Sequence, residues 1–122
     1  MTANSILKVE IIDRVIVPTQ AELHVRVETA HRSETTDIRG RFVGPRCEGV
    51  STVEVAYPLR PVRNVETDAD TILTRQVIIP EPSLSDSETP FFYEIIVELW
   101  ENGQRADERR LSYPLRLRNP KR

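Results

Sequence analysis

Ala21-Glu22-Leu23-His24-Val25-Arg26-Val27-Glu28-Thr29 alternates apolar and polar residues almost without error. A period of two sends successive side chains to opposite sides of an extended chain. The stretch therefore predicts a strand with one face in a core and the other in water. The same pattern returns at Tyr93-Glu94-Ile95-Ile96-Val97-Glu98-Leu99-Trp100 and at Leu111-Ser112-Tyr113-Pro114-Leu115-Arg116-Leu117-Arg118. Between such runs lie Pro, Gly, Asn, Asp and Ser, the residues that turn a chain. No segment longer than a few residues carries a 3.6-residue period, and no internal repeat is visible. The expectation is one antiparallel β-domain over residues 1–122.

Seven strands are expected. The first is about 6–12, with Leu7, Val9 and Ile11 on one face and Val15-Ile16-Val17 continuing beyond a kink. The second is 21–29. The third is about 37–43, with Ile38, Gly40 and Phe42 inward, and Gly44-Pro45 reads as the turn after it. The fourth is about 50–57, with Val53, Val55 and Tyr57 inward. The fifth is about 71–79. The sixth, about 91–100, is the most apolar and so the most central. The seventh runs through 105–118. Pro58, Pro61 and Pro114 mark sheet edges, because proline cannot donate to a ladder. The core list is Leu23, Val25, Val27, Phe42, Val53, Val55, Ile95, Val97, Leu99 and Leu115.

Asn102-Gly103 is a strong two-residue hairpin signal. Such a loop pairs residues whose numbers sum to 205, which sets Leu111 opposite Glu94. The core side of one strand would then meet the solvent side of the other. Either the loop has an odd number of residues, or a bulge lies within Gln104–Arg110.

Leu84, Pro90-Phe91-Phe92-Tyr93-Glu94-Ile95-Ile96-Val97 and Asn102-Gly103 resemble the sixth strand and final hairpin of immunoglobulin-like and fibronectin type III domains. The resemblance covers about a third of the chain. It implies an all-β, two-sheet antiparallel Greek-key sandwich of about seven strands, with Tyr93 as the tyrosine-corner residue. The chain departs from those families in having no cysteine pair, no tryptophan in the second or third strand, and a long loop before Pro90. A closed barrel and a C2-like sandwich are the other architectures compatible with the pattern.

A chain of 122 residues can bury a core without disulfides or metal. A single cysteine, Cys47, fits a reducing compartment. Met1-Thr2-Ala3-Asn4-Ser5 does not open a signal peptide, and no apolar run approaches the roughly 20 residues that span a bilayer. A soluble, cytoplasmic protein is expected. The net charge of −2 suggests neither nucleic acid nor an anionic membrane as partner. Its distribution is uneven: residues 66–101 carry −8 and residues 105–122 carry +5. Fifteen of the 17 basic residues are arginine, which reflects either genomic composition or the preference of interfaces for guanidinium.

The candidate chemistry is thin. Glu66, Asp68 and Asp70 in one loop, and Asp86 and Glu88 in another, supply the oxygens calcium uses, without a Gly-anchored twelve-residue loop. His24, His31 and Cys47 have no zinc-ligand spacing. Cys47, His31 and Asp37 have no signature of a nucleophilic triad. Glu94 and Glu98, four apart on a strand, lie about 13 Å from each other, too far for a glycosidase pair. The tail Arg116-Leu117-Arg118-Asn119-Pro120-Lys121-Arg122 could touch phosphates, but its arginines alternate with core leucines. Trp100, Phe91 and Phe92 make a weak sugar platform.

The best surface feature is the outward side of the sixth strand: Phe92, Glu94, Ile96, Glu98 and Trp100. Arg39, Arg41, Val43, Arg110 and Arg116 are expected beside it on the third and seventh strands. The patch reads either as ordinary cross-strand Glu–Arg pairing or as an interface, since aromatic and Arg residues mark interface centres. The expectation is a non-catalytic protein–protein interaction module. Arg39, Arg41, Ile96 and Trp100 would contact another protein or a second copy. No catalytic residue, cofactor or metal is assigned. The runner-up is a ligand-binding module for carbohydrate or calcium.

Overall fold

The alternation at residues 21–29 becomes a strand that buries every second side chain. Ala21, Leu23, Val25 and Val27 are closed to solvent while Glu22, His24 and Arg26 are half-exposed. The computed structural model describes residues 4–62 and 71–117. Within them lie β1 (Ile6–Val17), β2 (Gln20–Thr29), β3 (Asp37–Arg46), β4 (Val55–Pro58), β5 (Arg60–Pro61), β6 (Ile72–Pro80), β7 (Phe92–Glu101) and β8 (Gln104–Tyr113). No helix accompanies them among the described residues. One sheet has the order β1-β2-β6-β5 and the other β4-β3-β7-β8, with every pairing antiparallel. The chain changes sheet after β2, β4 and β6. This is a two-sheet β-sandwich whose strand order agrees with a four-plus-three immunoglobulin-type arrangement carrying one extra edge strand.

The core fills the space between the sheets. Leu23, Val25 and Val27 of β2, Val77 and Ile79 of β6, Phe42 of β3, and Ile95, Val97 and Leu99 of β7 are all sealed. Leu115, beyond the end of β8, is sealed as well. Tyr93 is buried, and its phenol oxygen accepts the Ser83 N–H at 3.0 Å, tying β7 to the long connection that precedes it.

The final hairpin resolves its register conflict through a bulge. Asn102 (φ 52°) and Gly103 (φ 75°) both sit in the left-handed region, the geometry of a type I′ turn. Trp100 pairs with Arg105, whereas Leu99 pairs with Asp107, so Ala106 is the extra residue. Beyond it Tyr93 faces Tyr113 and Ile95 faces Leu111, which restores the core side.

Other expectations are corrected. Leu7 is exposed because a bulge there turns Ile6 inward instead; a second bulge at Arg14 is the kink before Val15. Gly44-Pro45 does not turn the chain. The Gly44-Pro45 bond is cis, and β3 runs on to Arg46 with a register shift after Val43. The turn comes later, at Glu48-Gly49, closed by the Cys47–Val50 bridge. The fourth strand is Val55–Pro58, not 50–57, and Val53 and Val55 are 87 % and 46 % exposed rather than buried. Residues 51–54 join no ladder, and β4 is an edge whose only described strand neighbour is β3. The seventh expected strand stops at Tyr113, before Pro114.

The two edges on one side of the sandwich are fastened by side chains. The Ile6 N–H donates to Asp107 Oδ2 at 2.8 Å, and Arg109 Nη2 donates to the Ile6 carbonyl at 2.6 Å. The Tyr113 hydroxyl donates to Asp13 at 2.7 Å. Strand β1 of one sheet is thereby held to β8 of the other.

Candidate interaction surface

Register decides which charges share the outer face of the β4-β3-β7-β8 sheet. One cross-strand row is Asp37–Trp100–Arg105, the next Arg39–Glu98–Glu108, and the next Arg41–Ile96–Arg110. The structure thus brings Arg39, Arg41, Ile96 and Trp100 onto one face, as the sequence predicted. The Ala106 bulge sorts the rest. Without it, Asp107 and Arg109 would point outward. With it, they turn to the edge that clasps Ile6, and Glu108 and Arg110 take the outer face.

The outer charges form a continuous alternating chain. Arg41 lies 3.9 Å from Glu98, Glu98 3.5 Å from Arg105, Arg105 3.1 Å from Glu108, and Glu108 2.7 Å from Arg110. Arg110 lies 3.7 Å from Glu94, Glu94 2.9 Å from Arg46, and Arg46 3.0 Å from Glu54. Each exposed pair alone is worth about 0–1 kcal/mol, but shared partners hold the side chains in one arrangement. The Arg110 hydrogen bond holds the Glu108 carboxyl below the usual carboxylate range, assisted by the charges of Arg110, Arg105 and Arg41.

Trp100 joins this chain to a second group. Its Nε1–H donates to Glu98 at 3.1 Å, and the Arg39 guanidinium lies 4.3 Å above its ring, in cation–π range. Arg39 Nε donates to Asp37 at 3.0 Å, and Arg75 Nη2 reaches the same carboxylate at 3.0 Å from β6 of the other sheet. Burial pushes the Asp37 carboxyl up, but the hydrogen bonds and charges of Arg39 and Arg75 outweigh it and leave the group below its ordinary range. Ile96 is on this face but only 3 % exposed, so it offers no contact surface, and the half-buried apolar residues that remain on the face are Val43, Phe92 and Trp100. Gly40 in β3 admits no side chain, because an added Cβ would strike the Ile96 carbonyl.

Sequence reasoning missed Arg105, Glu108, Asp37 and Arg46 as members of the face. The two-residue Asn102-Gly103 turn already sets Arg105 opposite Trp100, whereas the place of Glu108 depends on the bulge. Arg116 lies past the end of β8, off the face.

The chemical candidates do not assemble. Asp37 opens β3 and Cys47 follows its end, so ~30 Å of extended chain separates them. Cys47 is buried and its thiol lies 4.0 Å from the Glu48 carbonyl. Glu94 and Glu98 share the outer face as expected and are taken up by arginines. Asp86 closes its own loop by accepting from the Glu88 and Thr89 N–H groups and the Thr89 hydroxyl. Among the described residues no group of three or more His, Cys, Asp or Glu could hold a metal ion. Glu66, Asp68 and Asp70, and the tail from Arg118 to Arg122, lie outside the described residues. No described helix is long and apolar enough to cross a membrane.

No protein-family model matches the chain, and no curated protein matches it. Solved structures do. A β-glucuronidase from Bifidobacterium dentium superposes with a TM-score of 0.62 at 16 % identity, over 93 % of this chain and 18 % of that one. A glycosyl hydrolase family 2 member from Bacteroides cellulosilyticus DSM 14838 gives 0.59 at 15 % identity, over 92 % and 15 %. A further family 2 β-glucuronidase gives 0.58 at 10 % identity, over 92 % and 12 %. The likeness is one of fold. The chain spans less than a fifth of each of those longer proteins.

Proposed function

We propose that this chain is a non-catalytic accessory β-sandwich that works by protein–protein contact, through the outer face of β3, β7 and β8. The observation that carries the reading is Trp100, half-buried at the end of that face, capped by Arg39 and hydrogen-bonded to Glu98. Trp and Arg together dominate the energetic centres of protein interfaces. The surrounding arginines and glutamates are already fixed by one another, which lowers the ordering cost of association. The occurrence of the same fold as a small part of much longer glycoside hydrolases supports an accessory role. A sugar-binding role would require a free aromatic face, and on Trp100 a guanidinium occupies one side. Once a partner is in hand, Trp100→Ala is expected to weaken association by about 2 kcal/mol or more, measured by calorimetry. Unchanged affinity in a folded variant would reject the face.

A further inference from the structure

The outer face is layered by charge. Arg39, Arg41, Arg105 and Arg110 have side chains 41–53 % exposed, whereas Glu94, Glu98 and Glu108 are 13–26 % exposed. Guanidinium groups form the outermost layer and carboxylates lie recessed beneath them. Asp37, 43 % exposed and shared between Arg39 and Arg75, and Glu54, 37 % exposed against Arg46 at 33 %, are the acids that lie outside this layering.

The arginines keep donors in reserve. Each guanidinium offers five N–H groups. Arg39 spends Nε on Asp37, and its two terminal nitrogens make no hydrogen bond among the described residues. Among the described residues Arg105 spends only Nη1, on Glu98 and Glu108. Arg41 reaches Glu98 at 3.9 Å, beyond hydrogen-bond distance. Arg110 spends Nε on Glu108.

We infer that the partner presents an acidic protein surface, whose individual carboxylates dock on the Arg39, Arg41 and Arg105 guanidiniums around Trp100; this rests on the reading of the face as an interface. Planar guanidiniums take carboxylates through paired N–H bonds, which gives short-range, oriented recognition. The recessed acids matter as much. Four arginines over Asp37, Glu94, Glu98 and Glu108 leave the face with no net charge. Nucleic acid and sulfated polysaccharide, with densely spaced phosphates or sulfates, bind mainly through net charge and counterion release, which a balanced face supplies poorly, whereas a flexible polycarboxylate can still present single carboxylates to single guanidiniums. Oriented contact with separate carboxylates does not depend on that net charge, and Trp100 adds an apolar anchor beside it.

The test is an NMR titration of the full chain with poly-L-glutamate, with heparin and poly-L-lysine as parallel probes. Poly-L-glutamate is expected to shift the Trp100 Nε1–H and the Nε–H signals of Arg39, Arg41, Arg105 and Arg110, leaving His24 and Gln76 on the opposite face unmoved. Raising salt from about 0.05 to 0.3 M should weaken the effect several-fold. Arg39→Gln with Arg105→Gln should weaken it at least fivefold. Arg41→Gln, which gives up only a 3.9 Å ion pair, should weaken it without disturbing the thermal transition. Three results would overturn the inference: no shift on the face, shifts confined to residues from Arg116 onward, or tighter binding of heparin than of poly-L-glutamate at the same signals. A face that responds to poly-L-lysine alone keeps the interface and removes its acidic partner. Silence toward all three probes, with Trp100→Ala leaving the native partner's affinity unchanged, removes the interface itself.

Discussion

The outer faces of the two sheets start from the same sequence device, apolar–polar alternation, and end as different surfaces. On the β1-β2-β6-β5 sheet, β6 sets neutral residues opposite the β2 charges: Ile78 against Glu22, Gln76 against His24, Thr74 against Arg26, Ile72 against Glu28. Its ion pairs among described residues are Arg26–Glu10 at 3.6 Å and His24–Glu22 at 4.0 Å. Between them run shallow grooves, one lined by Lys8, Glu10, Arg26, Glu28 and Ile72. On the β4-β3-β7-β8 sheet arginines and glutamates stand in adjacent rows and at nearby positions of one strand, close enough to pair diagonally and along β8, and an eight-member alternating chain results. Alternation makes a face polar. Register decides whether its charges meet.

The sharpest way to break this contrast is to remove a clasp that the bulge makes possible. Asp107→Ala takes away the carboxylate that accepts the Ile6 N–H and leaves that donor without its partner. A destabilisation of about 2–3 kcal/mol is expected in urea denaturation. Deleting Ala106 instead keeps Asp107 opposite Leu99 and Arg110 opposite Ile96, and should cost less. A loss below about 1 kcal/mol for Asp107→Ala would mean that the clasp does not hold the two edges together.

The next largest effect separates the faces directly. Glu98 is 13 % exposed and serves Arg41, Arg105 and Trp100. Glu98→Gln should cost about 1–2 kcal/mol, because its neighbours keep their charge and lose their partner. Glu22→Gln on the other face, with one 4.0 Å contact to His24, should stay within about 0.5 kcal/mol. Equal costs would erase the distinction between the faces.

The smallest effects lie in pH dependence, where the faces titrate in different windows. Asp37 and Glu108 have folded pKa values below the ordinary carboxylate range. Their unfolded forms bind protons more readily, so their contribution is complete above about pH 4 and is lost as pH falls through the folded values. His24 is lowered by burial first and by Arg14 second, with Glu22 opposing. Its contribution is complete above about pH 6.5 and fades on acidification below that. Urea midpoints measured from about pH 3 to 8 should therefore show two steps. His24→Gln should remove the upper step and Asp37→Asn should diminish the lower. An upper step that survives His24→Gln, or a lower step unchanged by Asp37→Asn, would contradict the assignment.

Much of the fold was legible because burial follows local periodicity. Leu23, Val25 and Val27 declare their side by alternation, and the mismatch of Leu111 with Glu94 announced the bulge before it could be placed at Ala106. What stayed hidden was set by tertiary partners. Val53 and Val55 have the right period, but Val53 lies in the stretch 51–54 that joins no ladder and Val55 opens the edge strand β4. Arg60–Pro61 is too short to carry a period. Leu7 lost its side to a bulge that no glycine marks. For the candidate surface, the sequence placed Arg39, Arg41, Ile96 and Trp100 on one face. It could not show that Ile96 would be covered, nor that Glu108 would join, because both depend on the neighbouring strand's register.

The most direct test of the account is site-specific photo-crosslinking in the source cells. A photoreactive residue is placed at Arg41 on the β3–β7–β8 face, at Gln76 on the opposite face, and at Ala56 on the open β4 edge. The account predicts a discrete protein adduct from position 41, with positions 76 and 56 silent. An adduct from position 76 or 56, with none from 41, would contradict it.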